Sequence, residues 1–308
     1  MPHSKICRKE RVMKAHWFLI VSLAICASNA PGQMTRSPFK PEPVNKINAA
    51  HDASKDETPQ GVLIETSSDL GSGIGAELMG EYREAVTLLT RAIEEEHDPM
   101  KLALARRFRG LSYKHLGRRE EALRDFIEVI RLQPQLDLGY YNAGVIYNLQ
   151  GRYKDALDMM TRAIQWQKDK RGLARRRSER GTAYFHLGDF KRAESDFVAA
   201  VRLDGRDPDV LNNVAWFRAT CPEARFRNGK EAVELATLAC TLDKWKDADE
   251  IDTLAAAYAE TGNFAEAERY QQKAMALLSE DEALRPKFRA RLAQYRAKQP
   301  VRQQINQG

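Results

Sequence analysis

The sequence has no apolar run long enough to cross a bilayer as a helix. Its one strongly apolar stretch, Trp17 to Ala27, spans eleven residues, where about 20 are needed. No stretch alternates apolar and polar residues at period two, which excludes a core built from half-buried strands. Cysteine is scarce, with four among 308 residues, and Cys7 and Cys26 fall in the first thirty. Helical spacing sets the remaining two, Cys221 and Cys240, roughly 15 Å apart, so two free buried thiols are expected. The six histidines show no metal-ligand spacing and no His-Glu-x-x-His helix occurs, which excludes the common helical zinc site. No Gly-x-Ser-x-Gly elbow is present. "GSGIG" at Gly71 to Gly75 has no strand before it and no Lys-Ser/Thr after it, so it reads as an irregular first helix and not as a phosphate loop. Neither a cofactor nor a catalytic apparatus is expected from these absences. Zinc-finger spacing and aromatic-interleaved basic strands are also missing, and no nucleic-acid partner is expected.

The apolar stretch at 17–27 follows Lys5, Arg8, Lys9, Arg11 and Lys14 and precedes small residues at Cys26, Ala27, Ser28 and Ala30, the arrangement of a secretory signal. Residues 1–30 are therefore read as a signal peptide, or as a signal anchor if it stays uncleaved, and the chain is expected to be exported to a periplasmic or extracellular location. Met13, followed by Lys14, would also open a compact signal. Removing residues 1–30 takes away five cations and one anion, which lowers the formal charge from +6 to +2 and weakens the basic pI as an argument about partners. Residues 31–65, with Pro31, Pro38, Pro41, Pro43 and Pro59 and no apolar period, read as a disordered linker.

From residue 66 onward the chain repeats itself. Glycines stand at 80, 117, 151, 188 and 262, and an alanine follows each by five residues: Ala85, Ala122, Ala156, Ala193 and Ala267. Ala232 joins the series without a glycine, and the spacings are then 37, 34, 37, 39 and 35 residues. Seven residues before each glycine stands a small residue, Gly73, Gly110, Gly144, Gly181 or Ala255; four before it stands Tyr113, Tyr147, Tyr184 or Tyr258, with Ala76 in the first copy. Glycine ends a helix because it takes the left-handed conformation without steric cost. A small residue lets two helices approach, and units that cannot bury both faces alone must stack. The pattern predicts an all-α array over 66–280. Leu284, Phe288, Leu292 and Tyr295 then predict an amphipathic capping helix over 281–296, with Pro286 in its first turn and a disordered tail over 297–308.

The motif small-x-x-Tyr, Gly-x-aromatic-x-x-Ala and a late Ala, clearest in "GRYKDALDMMTRAIQ" and "GNFAEAERYQQKAMAL", resembles the tetratricopeptide (TPR) family over 66–280. The fifth copy departs by the insertion "TCPEARFRNGK", and the stretch from Asn212 to Phe264 resembles a terminal module of bacterial exported TPR proteins. The resemblance implies a right-handed superhelical solenoid of about six helix-turn-helix repeats, with first helices on the concave face. It implies a protein-protein interaction scaffold, outside the cytoplasm here, that binds a protein or peptide partner in the concave groove. The groove residues expected are Arg107, Lys114, His115, Tyr141, Asn142, Asn148, Arg175, Thr182, His186, Asn212 and Asn213. Their cations and amides suit an acidic or carboxylate-bearing segment. Some family members clamp a C-terminal carboxylate; Arg107, Asn142 and Arg175 occupy matching places, while Leu111 and Glu179 replace residues that the clamp needs. A dense basic run, Lys168, Lys170, Arg171, Arg175, Arg176, Arg177 and Arg180, offers either a docking patch for an acidic protein, an anionic polysaccharide or a membrane headgroup, or a solvated loop and helix start. Two alternatives remain open: an enzyme or enzyme subunit using Cys221 or the groove histidines, and a self-associating or membrane-anchored structural protein.

Overall fold

The computed structural model describes residues 68–279 and 283–305, which form thirteen α-helices and one 3-10 turn with no strand among them. The expected signal (1–30) and linker (31–65) lie outside the described residues. In order the helices are α1 (Ser68–Leu78), α2 (Tyr82–Glu95), α3 (Pro99–His115), α4 (Arg119–Leu132), α5 (Asp137–Leu149), α6 (Tyr153–Trp166), α7 (Lys170–His186), α8 (Phe190–Leu203), α9 (Pro208–Thr220), α10 (Gly229–Leu242), α11 (Ala248–Glu260), α12 (Phe264–Ala276) and α13 (Arg285–Arg296). The first twelve pack as six pairs, each lying on the next, so the described residues form a helical solenoid. No helix among them is long and apolar enough to cross a membrane.

Local chemistry sets the helix limits. Asp98, Asp169, Asp207 and Asp247 cap the amino ends of α3, α7, α9 and α11 with side-chain bonds to backbone N–H groups, and Pro99 and Pro208 take first-turn positions where no donor is needed. The five turn glycines all have positive φ, from 73° to 82°. In each turn the next residue donates its N–H to the carbonyl four positions before the glycine, at 2.8–3.0 Å: Glu81 to Ala76, Arg118 to Tyr113, Arg152 to Tyr147, Asp189 to Tyr184 and Asn263 to Tyr258. One short bond thus closes the carboxyl end of every regular first helix.

Within a pair, the small residue of the first helix lies under a large residue of the second. A Cβ built on Gly110 would come within 2.7 Å of the Phe126 ring, on Gly144 within 2.7 Å of Met160, and on Gly181 within 2.8 Å of Phe197. The six repeating alanines, Ala85 to Ala267, are completely buried where successive helices cross. Unit 5 lacks the turn glycine, and residues 221–228 replace it with a short 3-10 turn, Ala224–Phe226. That insertion is anchored to the core through Phe226, which is buried against Phe190 and Phe217, and Arg227 donates to the carbonyls of Cys221 and Pro222. The two cysteines among the described residues, Cys221 and Cys240, are free and buried.

The end of the chain differs from the sequence expectation in two ways. Helix α13 begins at Arg285 and buries Phe288, Leu292 and Tyr295, but Arg291 is also buried, paired with Asp252 and stacked over the Trp216 ring at 4.3 Å. Its charged back is therefore incomplete. The disordered tail expected over 297–308 is corrected for residues 301–305, which lie against the array: Val301 is buried with Ala255, Ala259 and Tyr295, and the Gln303 N–H donates to the Thr220 carbonyl at 2.9 Å. Two apolar residues four apart in a polar stretch, Val301 and Ile305, carry the docking, too sparse a signal to show as a period.

Replacing Gly181 with alanine is expected to lower stability by about 1–3 kcal/mol through overpacking against Phe197, even though alanine favours a helix by about 1 kcal/mol. Gly75 has no atom within 4 Å of such a Cβ, so Gly75→Ala is expected to stabilise by about 0.5–1 kcal/mol. Urea midpoints of the two variants should move in opposite directions; movement in the same direction would refute the close-approach explanation.

Candidate partner-binding face

The arginines of the charge run entering unit 4 are paired within the array, while Lys168 and Lys170 are exposed. Arg171 pairs with Asp204, Arg175 with Asp207, Arg176 with Asp137, and Arg177 and Arg180 both with Asp196. The last arrangement recurs in unit 2, where Arg106 and Arg109 share Asp125 in the same register: arginines four and one before the small glycine, the aspartate three after the repeating alanine. These pairs tie the two helices of a unit together. The run therefore divides into a solvated start, Lys168 to Arg171, and arginines from 175 onward that hold the helices together. Asp125 and Asp196 are buried and each takes charge-assisted bonds from two guanidinium groups, which offset the loss of water around them.

The first helices α3, α5, α7 and α9 carry the residues expected to meet a partner, and Glu179 of α7 is the point on which several converge. Asn148 donates to the Glu179 carboxylate at 2.8 Å and to its carbonyl at 3.1 Å, and Asn213 reaches Ser178 Oγ at 3.1 Å and Glu179 at 3.5 Å. Burial raises the Glu179 carboxyl above the ordinary range, the Asn148 bond opposes this, and the Asp209 charge reinforces it. Asp209 and Glu77 are likewise raised by burial, with Lys114 acting on both in the opposite sense. Arg107 lies over the Phe108 ring at 4.3 Å, and burial lowers its guanidinium against the pull of Glu77 and Asp137. The Tyr141 ring sits under Arg176 at 4.5 Å, and burial raises its hydroxyl. Asn142 is buried, Thr182 donates to the Ser178 carbonyl at 3.2 Å, and the Asn212 amide oxygen is buried without a hydrogen-bond partner.

Other expected contacts are engaged elsewhere. His115 stacks on Tyr82 at 4.4 Å and His186 on Tyr153 at 4.3 Å, each closing the seam between one unit and the preceding one. Burial, with Lys287 nearby, pulls the His186 imidazole down to about 4. Arg175 is committed to Asp207, so the Arg107, Asn142 and Arg175 set does not present two free cations for a carboxylate clamp. Burial pushes the Cys221 thiol up to about 11 and the Cys240 thiol to about 12, the opposite of what activates a cysteine nucleophile.

Sequence reasoning missed the carboxylates of this face. Glu179 entered only as a defect in a clamp, while Glu77, Asp209 and Glu250 did not enter as groove residues. Glu250, in the first turn of α11, is 5% exposed, and its Oε2 has no hydrogen-bond partner. Burial pushes its carboxyl up to about 7, with Asp247, Asp243 and Asp209 adding to the effect. The clue in the sequence was the excess of acids at the amino ends of α9 and α11, which reads first as helix capping.

Three family models, each described as a tetratricopeptide repeat, match residues 109–170, 174–207 and 248–279. Tetratricopeptide repeat protein 16 of Homo sapiens is 28% identical over 142 residues, which cover 42% of this chain and 16% of that protein. Photosystem I assembly protein Ycf3 of Acaryochloris marina is 32% identical over 80 residues, 26% of this chain and 48% of that protein. The chain thus spans a small part of the Homo sapiens relative and about half of the Acaryochloris marina one. Among solved structures, the APC/C hetero-tetramer Cut9–Hcn1 is similar with a TM-score of 0.60 at 18% identity, over 74% of this chain and 42% of that one. Pseudomonas aeruginosa pilF is similar with a TM-score of 0.51 at 16% identity, over 72% and 96%. At such identities the likeness is one of fold.

The Glu250 carboxyl rises from an ordinary 4.5 to about 7 on folding. Below 4.5 both folded and unfolded chains hold the proton and nothing is lost; as pH rises through 7 the folded chain must carry a buried, unpaired charge. Glu250→Gln is therefore expected to raise the urea midpoint at pH 8, by about 1–3 kcal/mol in stability, and to leave it unchanged at pH 4. An equal effect at both pH values would refute the burial of an ionising carboxyl.

Proposed function

The chain belongs to the tetratricopeptide-repeat family, and from that premise we propose that it holds an extended peptide segment of a partner protein against the first helices of units 2 to 5, without chemistry of its own. The fold is that of a protein-interaction scaffold. The observation that carries the finer reading is the set of groups converging on Glu179: the amides of Asn148 and Asn213 and the Lys114 cation. The half-exposed amides and the Lys114 cation on one face suit the backbone and carboxylate groups of an extended segment. Lys114 and Arg107 lie toward one end of this face and Asp209 toward the other. The partner segment is read accordingly as presenting an acid toward α3 and a base toward α9, a revision of the purely acidic partner suggested by the cations alone. A relative of 32% identity is named for assembling a larger complex, a role that a binding scaffold would fill.

Location outside the cytoplasm belongs to the same proposal, supported by the basic, apolar and small-residue order of residues 1–30. N-terminal sequencing of the chain recovered from its native host should begin after that apolar stretch. A chain that retains it and fractionates with the cytosol would overturn the placement.

Affinity capture with the chain as bait, followed by crosslinking, tests the face itself. Lys114→Glu and Asn212→Ala are expected to weaken capture of the crosslinked partner by about 5- to 30-fold each, the equivalent of about 1–2 kcal/mol, while helicity stays at the wild-type level, because the Asn212 oxygen has no internal hydrogen-bond partner to lose. Capture unchanged in both variants would rule out this face.

A further inference from the structure

Beyond α13 the chain turns back and crosses the carboxyl ends of three successive first helices. Lys298 takes the left-handed conformation, with φ of 54°, its N–H bonds to the Tyr295 carbonyl and that of Gln299 to Gln294, and Pro300 prevents a further helical turn. Residues 301–305 are then free of helix and alternate in exposure: Val301, Gln303 and Ile305 turn toward the array, Arg302 and Gln304 toward water. That is the habit of an extended peptide laid on a surface.

Each inward residue has a receiving group. At the end of α11, Val301 is buried among Ala255, Ala259 and Ala267. At the end of α9, the Gln303 N–H donates to the Thr220 carbonyl at 2.9 Å, and the Trp216 indole N–H donates to the Gln303 side-chain oxygen at 3.2 Å. Ile305 packs on the aromatic cluster that includes Phe185, Phe190 and Phe217, and its methyl lies 3.3 Å from the position a Cβ would take at Gly188. Arg302, although outward, pairs with Glu260 at 2.7 Å. Thr220 ends its helix, so its carbonyl has no intrahelical donor, and the indole N–H of Trp216 also needs a partner. The receiving groups are those a peptide ligand would satisfy, and here the chain's own residues satisfy them.

We propose that the carboxyl ends of α7, α9 and α11 form a second peptide-binding surface, that residues 301–305 occupy it in cis, and that it accepts from a partner an extended segment of the same chemistry. That segment has a small branched apolar residue, then a base, then an amide side chain, and two residues further a second branched apolar residue. The proposal rests on the reading of the array as a peptide scaffold but concerns a different set of residues. A tethered segment acts at an effective concentration on the order of millimolar, so a free segment of similar intrinsic affinity gains access only when the tethered one is weakened or displaced.

A fluorescent peptide copying residues 297–308 tests this by anisotropy, against the full chain and the full-chain variant Val301→Asp with Gln303→Pro. The double variant removes the buried methyls and the donating N–H but leaves Trp216, Thr220 and Glu260 in place. The variant is expected to bind the peptide at least tenfold more tightly than the wild-type chain, and adding Trp216→Ala is expected to abolish the gain. In the wild-type chain the Gln303 amide should exchange with deuterium well before the amides at the centre of α9. The proposal is overturned if the folded variant binds no better than wild type. It is also overturned if the variant loses its helicity, or if the Gln303 amide exchanges only with global unfolding, for residues 301–305 would then be part of the core and not a replaceable ligand. Because the readout is the chain's own peptide, it can fail while the Lys114 and Asn212 variants succeed, and the reverse.

Discussion

The distance between the two helices of a unit is the constraint on which the rest depends. Gly110, Gly144 and Gly181 let Phe126, Met160 and Phe197 lie directly across the first-helix backbone, and a side chain that fills such a gap excludes any added methyl. That approach buries the repeating alanines, brings each second helix against the next first helix, and fixes the seams where Tyr82 meets His115 and Tyr153 meets His186. No unit has a face left with which to fold alone, so stability is shared between neighbours.

Charge follows the same register. Asp125 and Asp196 hold two arginines each because the helix spacing places arginines four and one before the glycine opposite an aspartate three after the alanine. Pairing of this kind specifies which helices meet more than it adds stability, since removing charge from water is costly. It also decides which cations are already committed: Arg175 and Arg176 are held by Asp207 and Asp137.

The first helices consequently offer two chemically different ends. Toward their amino ends, α9 and α11 carry Asp209, Asp247 and Glu250, and the Asp247 charge adds to the burial that raises the Asp209 and Glu250 carboxyls. Their carboxyl ends carry Trp216, Thr220 and Glu260 and are covered by residues 301–305. One set of helices thereby presents an electrostatic site and a hydrogen-bonding site without any loop devoted to either.

Repeat length, turn glycines, small-residue positions and buried alanines were legible in the sequence because they are local requirements: a left-handed turn and a close helix crossing each demand a residue type at a fixed offset. The helical class and the six pairs follow from them. The destination of each polar side chain was decided only by the tertiary structure. A solvent-facing arginine and one paired across 39 residues, as Arg176 is with Asp137, look alike in a one-dimensional pattern. The same holds for Glu179, read as a misfit yet gathering two asparagines, and for residues 301–305, whose polar composition suggested disorder. Electrostatic partners and long-range docking depend on distance in space, and only the stacking of six units set those distances.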